Sequence, residues 1–332
     1  MSQTQAPSQL DLERPPDARG TLRSRLAGSG GAFAGLGVLF VVLSLTTPGF
    51  FSVNNFLNIL DQVTVLAIIA VGATMVIIAG GIDLSVGSVL ALSTMVLGWL
   101  SHAGGLPTWL AIFAAIAVGG LCGLINGLGV TVAKLPPFIA TLAMLSVARG
   151  LANLITDGQQ IVGYPDWFFR LSSSGFLGFL SVTTVVMVLA FIIGGLYLRY
   201  RPGGRSLYAI GGGKEVARLA GIKVRRIVTM TYVWTGLLAG VAGVVLATRL
   251  DSSQPSAGTA LELDVIAAVV IGGASLSGGT GRMAGTIAGV LIMGILRNGL
   301  NLLGVSPFMQ QIFIGVVIAL AVMADILRQR NK

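Results

Sequence analysis

Residues 57–100 read LNILDQVTVLAIIAVGATMVIIAGGIDLSVGSVLALSTMVLGWL. An apolar run stops at Gly80-Gly81, turns polar at Asp83 and Ser85, and resumes at Val86. A bilayer-spanning helix needs ~20 apolar residues. The stretch 57–79 meets that length and 86–100 does not. Glycines let the backbone turn, and Asp83 or Ser85 is placed to N-cap a helix starting near Val86. The helix dipole favours a carboxylate there, but an acid between two apolar runs needs a partner or water. Two readings follow: a cap that holds a broken helix, and a polar patch on a translocation path.

The rest of the chain has the same character. It has 332 residues, of which 54% are hydrophobic and 10% charged, and a mean hydropathy of +0.89. A soluble protein of that composition could not cover its surface with polar groups, so lipid is the expected solvent. The 47 glycines suit helices that pack closely in a membrane. The single cysteine, Cys122, excludes a disulfide within one chain and any cysteine-rich metal site. The only histidine, His102, has no second histidine or acidic neighbour to make a metal or catalytic site with it. No catalytic, cofactor-binding or metal-binding group is expected. The net charge of +9 reflects basic residues between apolar runs, a topology signal rather than a nucleic-acid surface.

Candidate spans fall at 30–47, 57–79, 86–100, 109–132, 137–156, 177–198, 227–247, 263–275, 284–303 and 308–327. The third and eighth are too short to cross as straight helices and read as broken or bundle-covered segments. The expected fold is an all-α polytopic membrane bundle of about ten transmembrane helices. With the N-terminus inside, cytoplasmic segments hold seventeen Lys and Arg and outer segments only Arg170 and Arg249. That asymmetry predicts both termini in the cytoplasm. Residues 1–28, with three prolines and four arginines, read as a disordered cytoplasmic tail. The permease domain is expected over 29–328, with a large cytoplasmic loop at 199–226 and a short tail at 329–332.

Two echoes suggest an approximate internal repeat. Val76–Ser85 (VIIAGGIDLS) resembles Val269–Ser277 (VVIGGASLS), and Asn126-Gly127-Leu128 resembles Asn298-Gly299-Leu300. Each of the latter is followed by Pro-Phe, at 137–138 and 307–308. Paired Gly-interrupted hydrophobic segments point to a transport site. The candidates for a translocation path or gate are therefore Gly80, Gly81, Asp83, Ser85, Ser88, Asn126, Ser275, Ser277 and Asn298. Glycines at 119, 123 and 127, at 236 and 240, and at 281, 285 and 289 recur every four residues and read as helix-packing faces. Arg149 and Arg297 fall within spans and are read as structural, snorkelling toward a span end, the alternative being a partner for Asp83 or a donor to a substrate hydroxyl.

Several motifs together resemble the ribose-type permeases of ABC importers. They include GGIDLSVGSVLAL from Gly80, FIATL from Phe138, GRSLYAIGG from Gly204, ARLAGI from Ala217, Gln254-Pro255, ELDVIAAVVIGG from Glu262 and NGLNLLGV from Asn298. Only the tail to about residue 28 lies outside the resemblance. It implies an inner-membrane permease dimer, as a homodimer or paired with a paralogue. It also implies a periplasmic sugar-binding protein and a cytoplasmic ATPase chain carrying two ATP-binding domains.

The basic loop 199–226 fits the contact with that ATPase. Lys214–Ala220 can form a short helix with Val216, Leu219 and Ala220 toward one side, suited to a partner's groove. The coupling residues expected are Gly204, Arg205, Lys214, Glu215, Ala217, Arg218, Leu219 and Gly221. The family usually has Asn where this chain has Gly213, and glycine loses little as an N-cap. Gly212-Gly213-Lys214 is no phosphate loop: Tyr208 stands where its first glycine belongs, and Glu215 follows the lysine. Glu262 and Asp264, at the expected outer end of the eighth span, are candidates to meet the binding protein or the entering sugar. The rival readings are a stand-alone secondary transporter with Asp61 or Asp83 as its proton site, and an intramembrane enzyme. The spans offer the latter no paired carboxylates and no Ser-His arrangement. Ribose is the first substrate expected; xylose, arabinose, galactose-type sugars and polyols remain open.

Overall fold

A computed structural model describes residues 18–173 and 180–330. The helices are α1 (Ala18–Thr46), α2 (Val53–Ile78), α3 (Val86–His102), α4 (Thr108–Thr131), α5 (Pro137–Leu154), α6 (Asp166–Arg170) and α7 (Val182–Tyr200). They continue with α8 (Pro202–Gly212), α9 (Lys214–Leu219), α10 (Val224–Leu250), α11 (Leu261–Ile271), α12 (Met283–Leu302) and α13 (Pro307–Arg330). Two short strands, β1 (Ile161–Val162) and β2 (Ser252–Ser253), pair antiparallel.

Each of the ten expected spans falls on a helix, with residues 177–179 of the sixth outside the described residues and the eighth, 263–275, running past the end of α11 into the turn that follows. Six of them, α2, α4, α5, α7, α10 and α12, are long and apolar enough to cross a membrane, while α3 and the apolar parts of α1 and α13 are shorter. The count of ten therefore rests on four shorter helices, α11 with its 11 residues among them. The tail expected over 1–28 lies outside the described residues up to residue 17, and from Ala18 the chain is helical.

The hub is α2. Its apolar window is 89% buried, against 28% for α5 and α7, because α2 is walled in by α7, α10, α11 and α12 while the outer helices keep one face free. Along α10 and α4 the packing is backbone to backbone. A Cβ on Gly119 or Gly123 would run into the main-chain carbonyls of Gly236 and Tyr232, so the expected glycine faces are real contact surfaces. Gly285 and Gly289 likewise sit against Gly272 and Ala268. Gly281 departs from the expectation: it precedes α12 and lies in a turn against Ile78.

At one end of the bundle the paired strands tie the segment after α5 to the segment after α10. Tyr164 shares a hydrogen bond with Ser253 (2.7 Å), and its ring lies 4.7 Å from that of Phe168. Burial pushes the Tyr164 hydroxyl up to about 12, so it stays protonated. His102 approaches the Gly163 carbonyl at 3.1 Å. Strands of two residues carry no readable alternation, which is why an all-α reading missed them.

Candidate functional site

The break between α2 and α3 is a defined turn. Its helix ends with Gly80 at φ +75°. The Gly80 N–H donates to the Ile77 carbonyl and the Gly81 N–H to the Val76 carbonyl, both at 2.9 Å. That left-handed cap is the reason for a glycine at 80. Asp83 then closes the turn: its Oδ1 accepts from the Ser85 N–H (2.9 Å) and the Ser85 hydroxyl (2.6 Å). Asn126 of α4 donates to Ser85 Oγ at 2.8 Å. Asp83, Ser85, Ser88 and Asn126 are all buried. Ser85 makes no side-chain cap on α3, contrary to one form of the expectation; its hydroxyl is spent on Asp83. The carboxylate holds the last residue before the helix instead.

The second turn repeats the first. Gly273 stands at φ +91°, its N–H donating to Val270 and that of Ala274 to Val269. The Ser277 N–H donates to Ser275 Oγ at 3.3 Å, as the Ser85 N–H does to Asp83. Gly80 therefore matches Gly273 by conformation, one residue off the alignment that the letters suggest. Asn126 and Asn298 do not share a site. Asn298 exchanges amide hydrogen bonds with Asn55 (3.0 and 2.9 Å), roughly 22 Å along α12 from its turn end. That buried pair fastens α12 to the start of α2.

The two turns meet, and α8 joins them. The Gly279 N–H donates to the Ile78 carbonyl at 2.9 Å. A Cβ on Gly278 would lie 2.9 Å from Gly80 Cα and 3.1 Å from Gly211 Cα. One on Gly211 would overlap both the Ile78 carbonyl oxygen and the Gly279 nitrogen. Tyr208 of α8 donates to the Gly281 carbonyl at 3.0 Å. The expected loop at 199–226 is thus helical over Pro202–Gly212. The signals were present: Pro202 at the first helical position, then the buried spacing Gly204, Leu207, Ile210.

Beyond α8, the expected helix appears as α9. Gly221 follows it at φ +81° with the Ile222 N–H reaching back to the Ala217 carbonyl, the expected glycine stop. Ala217 is buried, whereas Val216 is 73% and Leu219 82% exposed. Glu215 and Arg218 pair on the surface at 3.0 Å. A shallow cleft lined by Val76, Gly81, Val130, Pro137, Lys214 and Tyr232 places the start of α9 beside the first turn.

Among the described residues, Arg149, Arg297, Asp264 and Asp61 have hydrogen-bond partners inside the bundle. Arg149 donates from Nη1 to the Pro255 and Ala257 carbonyls. Arg297 donates to Asp264, which is buried and so does not present a free outer surface. Half-buried Glu262 lies by Gly87 in the first turn of α3. Asp61 accepts from Ser181 (3.0 Å) and Thr184 (3.2 Å).

A bundle of apolar helices around a buried hub, two of them entered through glycine turns, is the architecture of a multi-pass membrane protein. The sequence model of the family described as branched-chain amino acid transport system / permease component matches residues 55–322, and the chain belongs to that family. The ribose import permease RbsC of Bacillus subtilis (strain 168) is 48% identical over 296 residues, 89% of this chain and 92% of the relative. RbsC of Escherichia coli (strain K12) is 44% identical over 294 residues, 87% and 90% of the two chains. The L-arabinose ABC transporter permease AraH of Azospirillum brasilense is 37% identical over 330 residues, 99% and 96%.

Proposed function

We propose that this chain is the membrane-spanning permease subunit of a bacterial ATP-driven ABC importer for a monosaccharide, with ribose as its substrate. The observation that carries the reading is 48% identity, across nearly the whole of both chains, to a protein named a ribose import permease. Such a permease works in the inner membrane with a separate ATPase and a periplasmic binding protein. The partners proposed here are an ATPase chain with two ATP-binding domains, a sugar-binding protein, and a second permease copy. Both termini and the α8–α9 unit face the cytoplasm in this proposal, on the strength of the basic residues gathered at that end.

The geometry supports a coupling route. α9 offers Leu219 as an apolar anchor for a pocket on the ATPase. The end of α8 leans on both glycine turns through Gly211 and Tyr208. In this proposal a push on α9 passes through Gly213 and α8 to the ends of α2, α3, α11 and α12 that meet at the two turns. Opening of the Gly80–Ser85 and Gly272–Ser277 turns is the proposed inner gate.

The test is ribose uptake into proteoliposomes. The chain with its ATPase, loaded binding protein and ATP accumulates ribose; the chain alone does not, with or without a pH gradient. Uptake by the chain alone, driven by pH, would make it the secondary transporter that Asp61 or Asp83 would otherwise suggest.

A further inference from the structure

The segment between α10 and α11 is not an outer loop. Along α3, Gly98 lies against Ile161 and Tyr164, Ser253 donates to the Thr94 carbonyl, and the Gly258 carbonyl sits on Gly87. From Ser253, beside Thr94, to Gly258, on Gly87, the chain runs back along roughly 10 Å of α3. After β2 it does so as turns, so that α11 begins beside the first turn of α3. Backbone of this kind is tolerated at membrane depth only where protein buries it or water reaches it.

Four charged side chains gather where it descends. Arg149 binds the Pro255 and Ala257 carbonyls and is within electrostatic reach of Glu262. Glu262 and Asp264 share the first turn of α11, and Asp264 pairs with Arg297. The Arg297 side chain is 42% exposed, Glu262 is half-buried, and Ser256 and Thr259 beside them are exposed. Ionised groups at that depth, left open on one side, call for water on that side. Carboxylates that accept and guanidinium groups that donate are also the pair that grips vicinal hydroxyls.

We infer that residues 252–260, with Arg149, Glu262, Asp264 and Arg297, form the wall of a water-filled passage for a neutral polyhydroxylated solute, running from the strand end of the bundle to the first turn of α3. Its floor is the Asp83–Ser85–Asn126 cluster, two residues before Gly87. The inference deepens the sugar-import reading and rests on it for the solute.

The test uses a Cys122→Ala parent with single cysteines at Ser256, Thr259, Leu189 and Arg225, in cells carrying the ATPase and binding protein. The reagent is a sulfonate-bearing methanethiosulfonate that cannot cross lipid. Ser256→Cys and Thr259→Cys are expected to react in intact cells and to lose ribose uptake on reaction. Leu189→Cys, on the exposed face of α7, stays unmodified, and Arg225→Cys reacts only in inside-out vesicles. No reaction at 256 and 259, or reaction with uptake intact, overturns the passage. So does oxidative cross-linking of 256 to 256 between copies without reagent access, which would make this face a subunit contact. Failure of the unmodified parent to import ribose would instead count against the sugar reading alone, because reagent access needs no sugar.

Discussion

Asp83 shows how one side chain can look like two things in a sequence. Its letters fit both a helix cap and a polar patch. Its geometry makes it a turn clamp, accepting from both the N–H and the hydroxyl of Ser85, which Asn126 then ties to α4. Asp83→Ala would strip the Ser85 N–H of its acceptor in a buried site, a loss of about 1–3 kcal/mol. Asp83→Asn keeps an oxygen there and loses only the charge. Ribose uptake should therefore fall much further in the alanine variant than in the asparagine variant, at equal amounts in the membrane. Equal and normal uptake in both would remove the turn from the mechanism. The acid and its glycines were readable because Gly80-Gly81-Ile82-Asp83 interrupts an otherwise unbroken apolar run. Arg149 was not. Its partners are two backbone carbonyls more than a hundred residues away, and main-chain acceptors leave no letter to read.

Among the elements, α9 and α8 were read unequally. The six residues of α9 were legible because Lys214–Leu219 is bounded by glycines, one of which, Gly221, needs a left-handed backbone. α8 carries five residues, Pro202, Gly203, Gly204, Gly211 and Gly212, that look like loop. Its glycines serve close approach instead, Gly204 to the Tyr197 carbonyl and Gly211 to Ile78. Approach of this kind is a tertiary property, so local propensity pointed the wrong way. Leu219 is the largest apolar side chain on α9 and stands 82% exposed. Leu219→Asp would place an unpaired charge in a partner's pocket at a cost of about 3–5 kcal/mol. The variant should insert normally and fail to retain the ATPase on purification. Retention at wild-type stoichiometry, with ATP hydrolysis still stimulated by loaded binding protein, would move the docking surface elsewhere.

Across the whole molecule, the hydrophobic runs located every long helix, because lipid leaves a chain no other way to satisfy its backbone. They did not reveal which end each polar feature occupies. The two asparagine echoes, alike in letters, lie at opposite ends of the bundle, one clamping a turn and the other fastening α12 to α2. Nor did they reveal that the two glycine turns touch each other and α8. That junction carries the account. It gives α8 a grip on two broken elements at once, and it leaves no room for a side chain.

Gly211→Ala tests it most directly. The added methyl overlaps the Ile78 carbonyl and the Gly279 nitrogen, so about 1–3 kcal/mol of strain falls on the junction while α9 keeps its exposed face. Tyr208→Phe removes only the hydrogen bond to Gly281 and guards against a misfolded alanine variant. Ribose uptake and ATP hydrolysis are measured together in proteoliposomes holding the permease, the ATPase and loaded binding protein. Both variants are predicted to bind the ATPase normally and to lose ribose moved per ATP hydrolysed, Gly211→Ala more than Tyr208→Phe. Wild-type ribose per ATP in both would contradict the coupling route.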